Sequence, residues 1–176
     1  MLADMEEPSG KTMVKDNTSV LAWVVVRRGE AAAKCTIRPL RGRPGLVFLR
    51  YPPPGPVSPG DFPGALLLAP GAPALSAMDA GRPLLLLDAS WRHARGMARA
   101  YPGIETRSIP PGWRTAYPRH SKVSEDPAEG LATVEALYAA LAVTGHRDDS
   151  LLAHYRWAKE FLQLNAALLL ACPRGG

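Results

Sequence analysis

Two short aliphatic runs constrain the fold of this chain more than any other feature. Residues 84–87 are four consecutive leucines, and residues 24–26 are three consecutive valines within a strand-like segment, 20–27. A strand with one face in water alternates apolar and polar side chains, whereas a run without alternation reads as covered on both faces. Both runs are far shorter than the roughly 20 apolar residues of a membrane-spanning helix. They predict central strands of a mainly parallel sheet with helices on its faces, an α/β fold.

The rest of the chain supplies the partners for those strands. Residues 45–51 (GLVFLRY) and 65–69 (ALLLA) read as two more strands, and a short strand is expected over 113–117. Residues 52–63 (PPPGPVSPGDFP) exclude helix and central strand and form a connector. Ser76 and Asp79 have the spacing of a helix-start cap. Three helices follow: 91–101 capped by Ser90, 133–143 started by Thr133 and stopped by Gly145, and 150–172 stopped by Pro173.

Composition narrows the class. A chain of 176 residues with 47% hydrophobic content can bury one sizeable core. Residues 1–17 are polar and unlike a signal peptide, and 1–18 reads as a disordered tail. Cys35 and Cys172 lie far apart, and neither is in a CxxC pair or near a His at ligand spacing. Reduced thiols, no metal, no membrane association and a cytoplasmic location are therefore expected. The net charge of +5 favours polyanionic partners. No GxGxxG or phosphate-binding glycine loop is present.

In parallel sheets, ligands sit at the carboxyl ends of strands, beside helix N-termini. Asp88-Ala-Ser-Trp91 follows the leucine run and occupies that kind of place. A carboxylate there can orient a donor or accept a proton, and an indole offers a flat apolar wall. The same residues also suit an N-cap followed by a core tryptophan. Arg92, Arg95 and Arg99 form a stripe that fits either a solvated helix face or a phosphate-facing one. His93 and His120 have no evident partner and are expected to be exposed.

The segment DASW at 88–91 resembles the DxTW/DxSW signature of the DTW-domain proteins and their ribosomal-RNA relatives, a superfamily of RNA aminocarboxypropyltransferases. Further similarities fall in the same order. Lys34-Cys35-Thr36 resembles the KCS/KCT motif, and residues 75–79 (LSAMD) resemble the LSxxD segment. Residues 131–137 (LATVEAL) resemble LSTxEAL, and 155–165 (YRWAKEFLQLN) resemble FxWGxxFLELN. The similarity runs from about residue 22 to about residue 170. Ala132 stands where the family has Ser, and Ala158 where it has Gly; 115–121 (TAYPRHS) replaces an AANPVNYG-like stretch. These departures leave tRNA and rRNA both open as the substrate.

The resemblance implies a SPOUT-like α/β fold with a mainly parallel sheet, a C-terminal trefoil knot and a smaller N-terminal lobe. The implied division is a 1–18 tail, a β-rich lobe over 19–74, a cofactor-binding domain over 75–172 and a 173–176 tail. It implies S-adenosyl-L-methionine as cofactor, no metal, and transfer of the 3-amino-3-carboxypropyl group to N3 of a uridine, with methylthioadenosine released. Asp88 is then the candidate base, or the residue that orients the loop. Thr36, Asp88, Trp91, Trp113, Leu131, Ala132, Thr133 and Ala136 would surround the cofactor, the residues around 113 and 131–133 through their main chain. Thr133 is also read as an N-cap, Glu135 as a helix-start carboxylate, and Asn165 as a buried packing group. Arg92, Arg95, Arg99, Arg114, Arg119 and Lys122 would contact RNA, with Arg38, Arg41, Arg43 and His120 as further contacts. A monomer is expected. The competing readings are a SPOUT-class RNA methyltransferase and a non-catalytic RNA-binding or ribosome-assembly factor.

Overall fold

A computed structural model describes residues 20–28, 35–118 and 130–173. The 1–18 tail and residues 174–176 lie outside the described residues. Five strands form one sheet: β1 (Ala22–Arg27), β2 (Leu46–Tyr51), β3 (Leu66–Leu68), β4 (Leu84–Asp88) and β5 (Thr106–Arg107). All pairings are parallel, in the order β2-β1-β4-β3-β5. Four helices are described: α1 (Trp91–Ala98), α2 (Thr133–Val143), α3 (Ala158–Leu164) and α4 (Ala166–Ala171).

The two aliphatic runs are the adjacent strands β1 and β4, with Val24 opposite Leu86 and Val25 opposite Leu87. Val24, Leu66, Leu84 and Leu86 join the core beneath α2 and Phe161. Val25, Leu67 and Leu85 face the other way, into a second core with Phe62, Met97 and Tyr101. Helices on both faces explain the absence of alternation. Leucine favours helix in isolation, yet here packing and punctuation win. Gly81 turns the chain at φ 76°, and Pro83 disfavours helical geometry at Arg82, so the run enters the sheet extended.

Helix α2 is buried along almost its whole length, and its single charged residue, Glu135, is fully buried. It ends where expected. Gly145 adopts φ 85°, its N–H donates to Ala142 O at 3.2 Å, and the His146 N–H donates to Leu141 O at 2.7 Å. That pairing satisfies two terminal carbonyls and requires a residue tolerant of left-handed backbone.

Several expectations are corrected. Residues 113–117 form no strand; their polar groups are tied to side chains instead. The fifth strand is Thr106–Arg107, which none of the expected strands covers. The helix expected over 150–172 is a 3-10 turn, Asp149–Leu152, followed by α3 and α4, with Asn165 at φ −111° between them. The cap at Ser76 is present, but on a single 3-10 turn, Ala77–Asp79. The first helix stops at Ala98. No helix among the described residues is long and apolar enough to cross a membrane.

Candidate functional site

The sheet order sets β1 directly beside β4, with their onward connections running to opposite sides of the sheet. From β1 the chain passes to β2 on one side, and its linking residues Ile37 and Leu40 pack in the core beneath α2. From β4 it passes through α1 to β5 on the other side, with Met97 in the opposite core. Connections that leave neighbouring strands in opposite directions define a topological switch point, where open α/β sheets bind ligands at the carboxyl edge.

That edge carries Cys35 and Thr36 from the segment after β1, and residues 88–91 from the end of β4. Asp88 is only 5% exposed. Its Oδ1 accepts from the Thr133 hydroxyl at 2.6 Å, and its Oδ2 accepts from the Cys35 thiol at 2.9 Å. Burial, then the hydrogen bond to Asp88 and its negative charge, push the Cys35 thiol up to about 11. Cys35 is therefore a protonated donor at neutral pH, and the sequence reading of it as an uncommitted thiol missed this role. The Thr36 oxygen accepts from the Val134 N–H at 3.2 Å, satisfying one of the unpaired amides at the start of α2. Thr36, Asp88 and Thr133 thus converge, although 98 residues separate Thr36 from Val134. The N-cap assigned to Thr133 is corrected. Ala132 is the capping residue, and the Thr133 side chain turns to Asp88.

Trp91 begins α1 and is half-buried, and it belongs to neither core cluster. Ser90 makes no side-chain cap to the helix; its hydroxyl pairs with His93 Nδ1 at 2.8 Å, giving the exposed His93 a partner.

A second group of polar contacts gathers around the first turn of α2 and Asn165. Trp113 is buried and stacked on Phe161, with ring centroids 6.1 Å apart. Asn165 Oδ1 accepts from the Arg114 N–H at 2.8 Å, and its Nδ2 donates to Arg114 O at 2.9 Å and Phe161 O at 2.8 Å. Glu135 accepts from the N–H groups of Ala116 and Ala132 and from the hydroxyls of Thr115 and Tyr155, at 2.6–2.8 Å. Residues 113–116 and 131–133 are therefore bound to each other through one buried carboxylate. Leu131 is buried, while Ala132 and Ala136 are half-buried.

Arg92 and Arg95 are exposed on α1, Arg99 is exposed just past its end, and Arg114 is exposed beyond Trp113. Arg119 and Lys122 lie outside the described residues, as does His120. A groove lined by Arg27, Tyr51, Arg92, His93, Gly96 and Met97 adds Arg27, which sequence reading did not single out, to the carboxyl edge. Arg43 does not join this edge. It lies just before β2, at the amino end of the sheet, paired with Asp148 and Ser150, and Arg41 sits over the Phe48 ring at 5.1 Å. Among the described residues, no group of three or more His, Cys, Asp or Glu is placed to hold a metal ion.

The geometry defines a parallel α/β protein that gathers a strand-end carboxylate, two hydroxyls and an indole at a topological switch point. Residues 67–173 match the family described as Ribosome biogenesis protein, C-terminal, and the chain belongs to that family. Its fold is similar to that of the SAM-dependent rRNA:acp-transferase Tsr3 from Vulcanisaeta distributa, with a TM-score of 0.65 at 24% identity, over 87% of this chain and 83% of that one. No curated protein sequence matches the chain.

Proposed function

We propose that this protein transfers the 3-amino-3-carboxypropyl group of S-adenosylmethionine to N3 of a uridine in RNA, releasing methylthioadenosine. The observation that carries the reading is the meeting of Thr36, Asp88 and Thr133 at the switch-point crevice with the half-buried Trp91 at its margin, in a fold similar to that of an rRNA:acp-transferase. The ribosome-biogenesis family favours rRNA over tRNA as the substrate. The reading includes membership of the DTW-domain superfamily and a SPOUT-like knot within 75–172, with 19–74 contributing β1, β2, β3 and Thr36. It also includes a cytoplasmic monomer without a metal.

The residues present suit the cofactor. An indole left out of both cores is a wall for an adenine or a thioether. Thr36 spends its oxygen on Val134, which leaves its hydroxyl hydrogen to donate to a ligand acceptor. Main-chain groups of residues 113–116 and 131–133 are fixed before any ligand arrives. When bound, the sulfonium supplies three electrophilic carbons, and the one held in line with the nucleophile reacts. The protein's task is to present the longer arm and shelter the methyl. N3 of uracil must lose its proton, and Asp88 is the proposed acceptor. Each of its oxygens accepts one hydrogen bond, which leaves a lone pair on each to take the proton. Arg92, Arg95, Arg99, Arg114, Arg119 and Lys122 would hold the RNA backbone, together with Arg27.

The test is incubation of ribosomal RNA with two preparations of S-adenosylmethionine, one labelled in the aminocarboxypropyl chain and one in the methyl. Label from the chain alone, with methylthioadenosine as coproduct, is expected. Methyl label with S-adenosylhomocysteine would make the protein a methyltransferase. RNA binding with no label from either would make it a non-catalytic assembly factor.

A further inference from the structure

Glu135 is the one charged residue of α2, has no exposed surface, and faces no cation among its hydrogen-bond partners. A buried carboxylate is costly unless every lone pair is used. Here each oxygen receives one backbone N–H and one hydroxyl. Oε1 takes the Ala116 N–H and the Tyr155 hydroxyl, both at 2.8 Å. Oε2 takes the Ala132 N–H at 2.8 Å and the Thr115 hydroxyl at 2.6 Å. The two amides come from two different loops, one before α2 and one 16 residues earlier in the chain.

We propose that Glu135 is a positioning residue for the cofactor, setting the spacing of the 113–116 and 131–133 loops. This rests on the reading that those loops hold the adenosine by their main chain. The distribution of donors makes the carboxylate irreplaceable by its own amide. Glutamine would offer one oxygen and one NH2. A hydroxyl can rotate to accept from NH2, but a backbone N–H cannot reverse. Whichever way the amide is turned, NH2 confronts either Ala116 or Ala132, and one loop is released. Asn165 fixes the same stretch from its other side, through both backbone groups of Arg114. Releasing the Glu135 contact therefore alters the loop's position relative to α2 rather than melting it.

The experiment titrates the full-length protein with S-adenosylmethionine by calorimetry and records its thermal midpoint. Glu135→Gln should weaken binding about tenfold or more, the scale of one buried donor left unpaired. At saturating cofactor its turnover should approach that of the parent protein. Tyr155→Phe removes one hydroxyl but keeps both amide contacts, so its midpoint should fall while affinity holds. Ile104→Ala, in the core on the opposite face of the sheet, gives a destabilised control that should bind normally. Should Glu135→Gln fail to fold, Glu135→Asp keeps the charge but withdraws the carboxylate by one methylene from both amides, and should weaken binding. Unaltered affinity in the folded variant, or an equal loss in Ile104→Ala, overturns the proposal. If the parent protein itself does not bind, the cofactor reading is what fails, and this proposal falls with it.

Discussion

The Thr133 hydroxyl donates to Asp88 Oδ1 at 2.6 Å, joining the first residue of α2 to the last residue of β4 across 45 positions of sequence. Hydrogen bonds to charged groups contribute more than neutral ones. Thr133→Val should therefore cost about 2 kcal/mol of stability, and Thr133→Ser should restore most of it. Urea unfolding of the three proteins measures this. Equal midpoints for Thr and Val would show that the contact contributes nothing.

Trp91 is half-buried and outside both cores, so its removal should separate binding from folding. Trp91→Ala should weaken S-adenosylmethionine binding by roughly 1–3 kcal/mol while leaving the thermal midpoint nearly unchanged. Calorimetry and thermal denaturation read the two effects side by side. Normal affinity would remove the indole from the pocket.

Asp88→Asn should lower turnover more than cofactor affinity, if the carboxylate accepts the N3 proton. Full activity in that variant would exclude Asp88 as the base.

The same substitution carries a second, chemical readout. Burial first, then the hydrogen bond to Asp88 and its negative charge, hold the Cys35 thiol up at about 11, above its ordinary value, so the folded protein favours the protonated form. The stability this confers is complete below the unfolded pKa and is lost as pH rises through the folded one. At mildly alkaline pH, iodoacetamide should modify Cys35 slowly in the folded protein and quickly in urea. Asp88→Asn should speed the folded-state reaction, read by mass spectrometry of the Cys35 peptide. A rate insensitive to Asp88 would contradict the contact.

Arg92 and Arg95 on α1, and Arg99 at its C-terminal cap, are solvent-exposed. Replacing them singly with Ala should leave the thermal midpoint in place. Each should weaken RNA binding and reduce the salt dependence of log K by about one unit for every phosphate no longer neutralised. Filter binding over a salt series checks this. An unaltered slope for all three would assign them to a solvated helix face.

Much of the fold was legible because short buried strands and glycine stops are local signals. The runs at Val24 and Leu84 became the paired centre of the sheet, and α2 spans the predicted residues up to the glycine stop. The strand of two residues, Thr106–Arg107, is too short for any periodicity to mark it. Asn165 interrupts an otherwise continuous helical pattern because its amide pairs with the Arg114 backbone, a partner 51 residues away. The site was legible in part. Motif order brought Thr36, Asp88 and Thr133 into one expectation. Local capping rules, however, misassigned Thr133, and cysteine spacing left Cys35 without a role, since both turn to a carboxylate on a distant strand.

The nearly complete burial of α2 has a consequence for how activity is lost. A helix with so little polar surface has no solvated intermediate in which to persist, and its first turn supplies Thr133, the Val134 amide and Glu135. The proposed site and the global structure therefore belong to one cooperative unit. In denaturant, cofactor capture should disappear in step with the whole-molecule transition. Slow hydrogen exchange at Val134 should likewise require complete unfolding rather than fraying at the helix end.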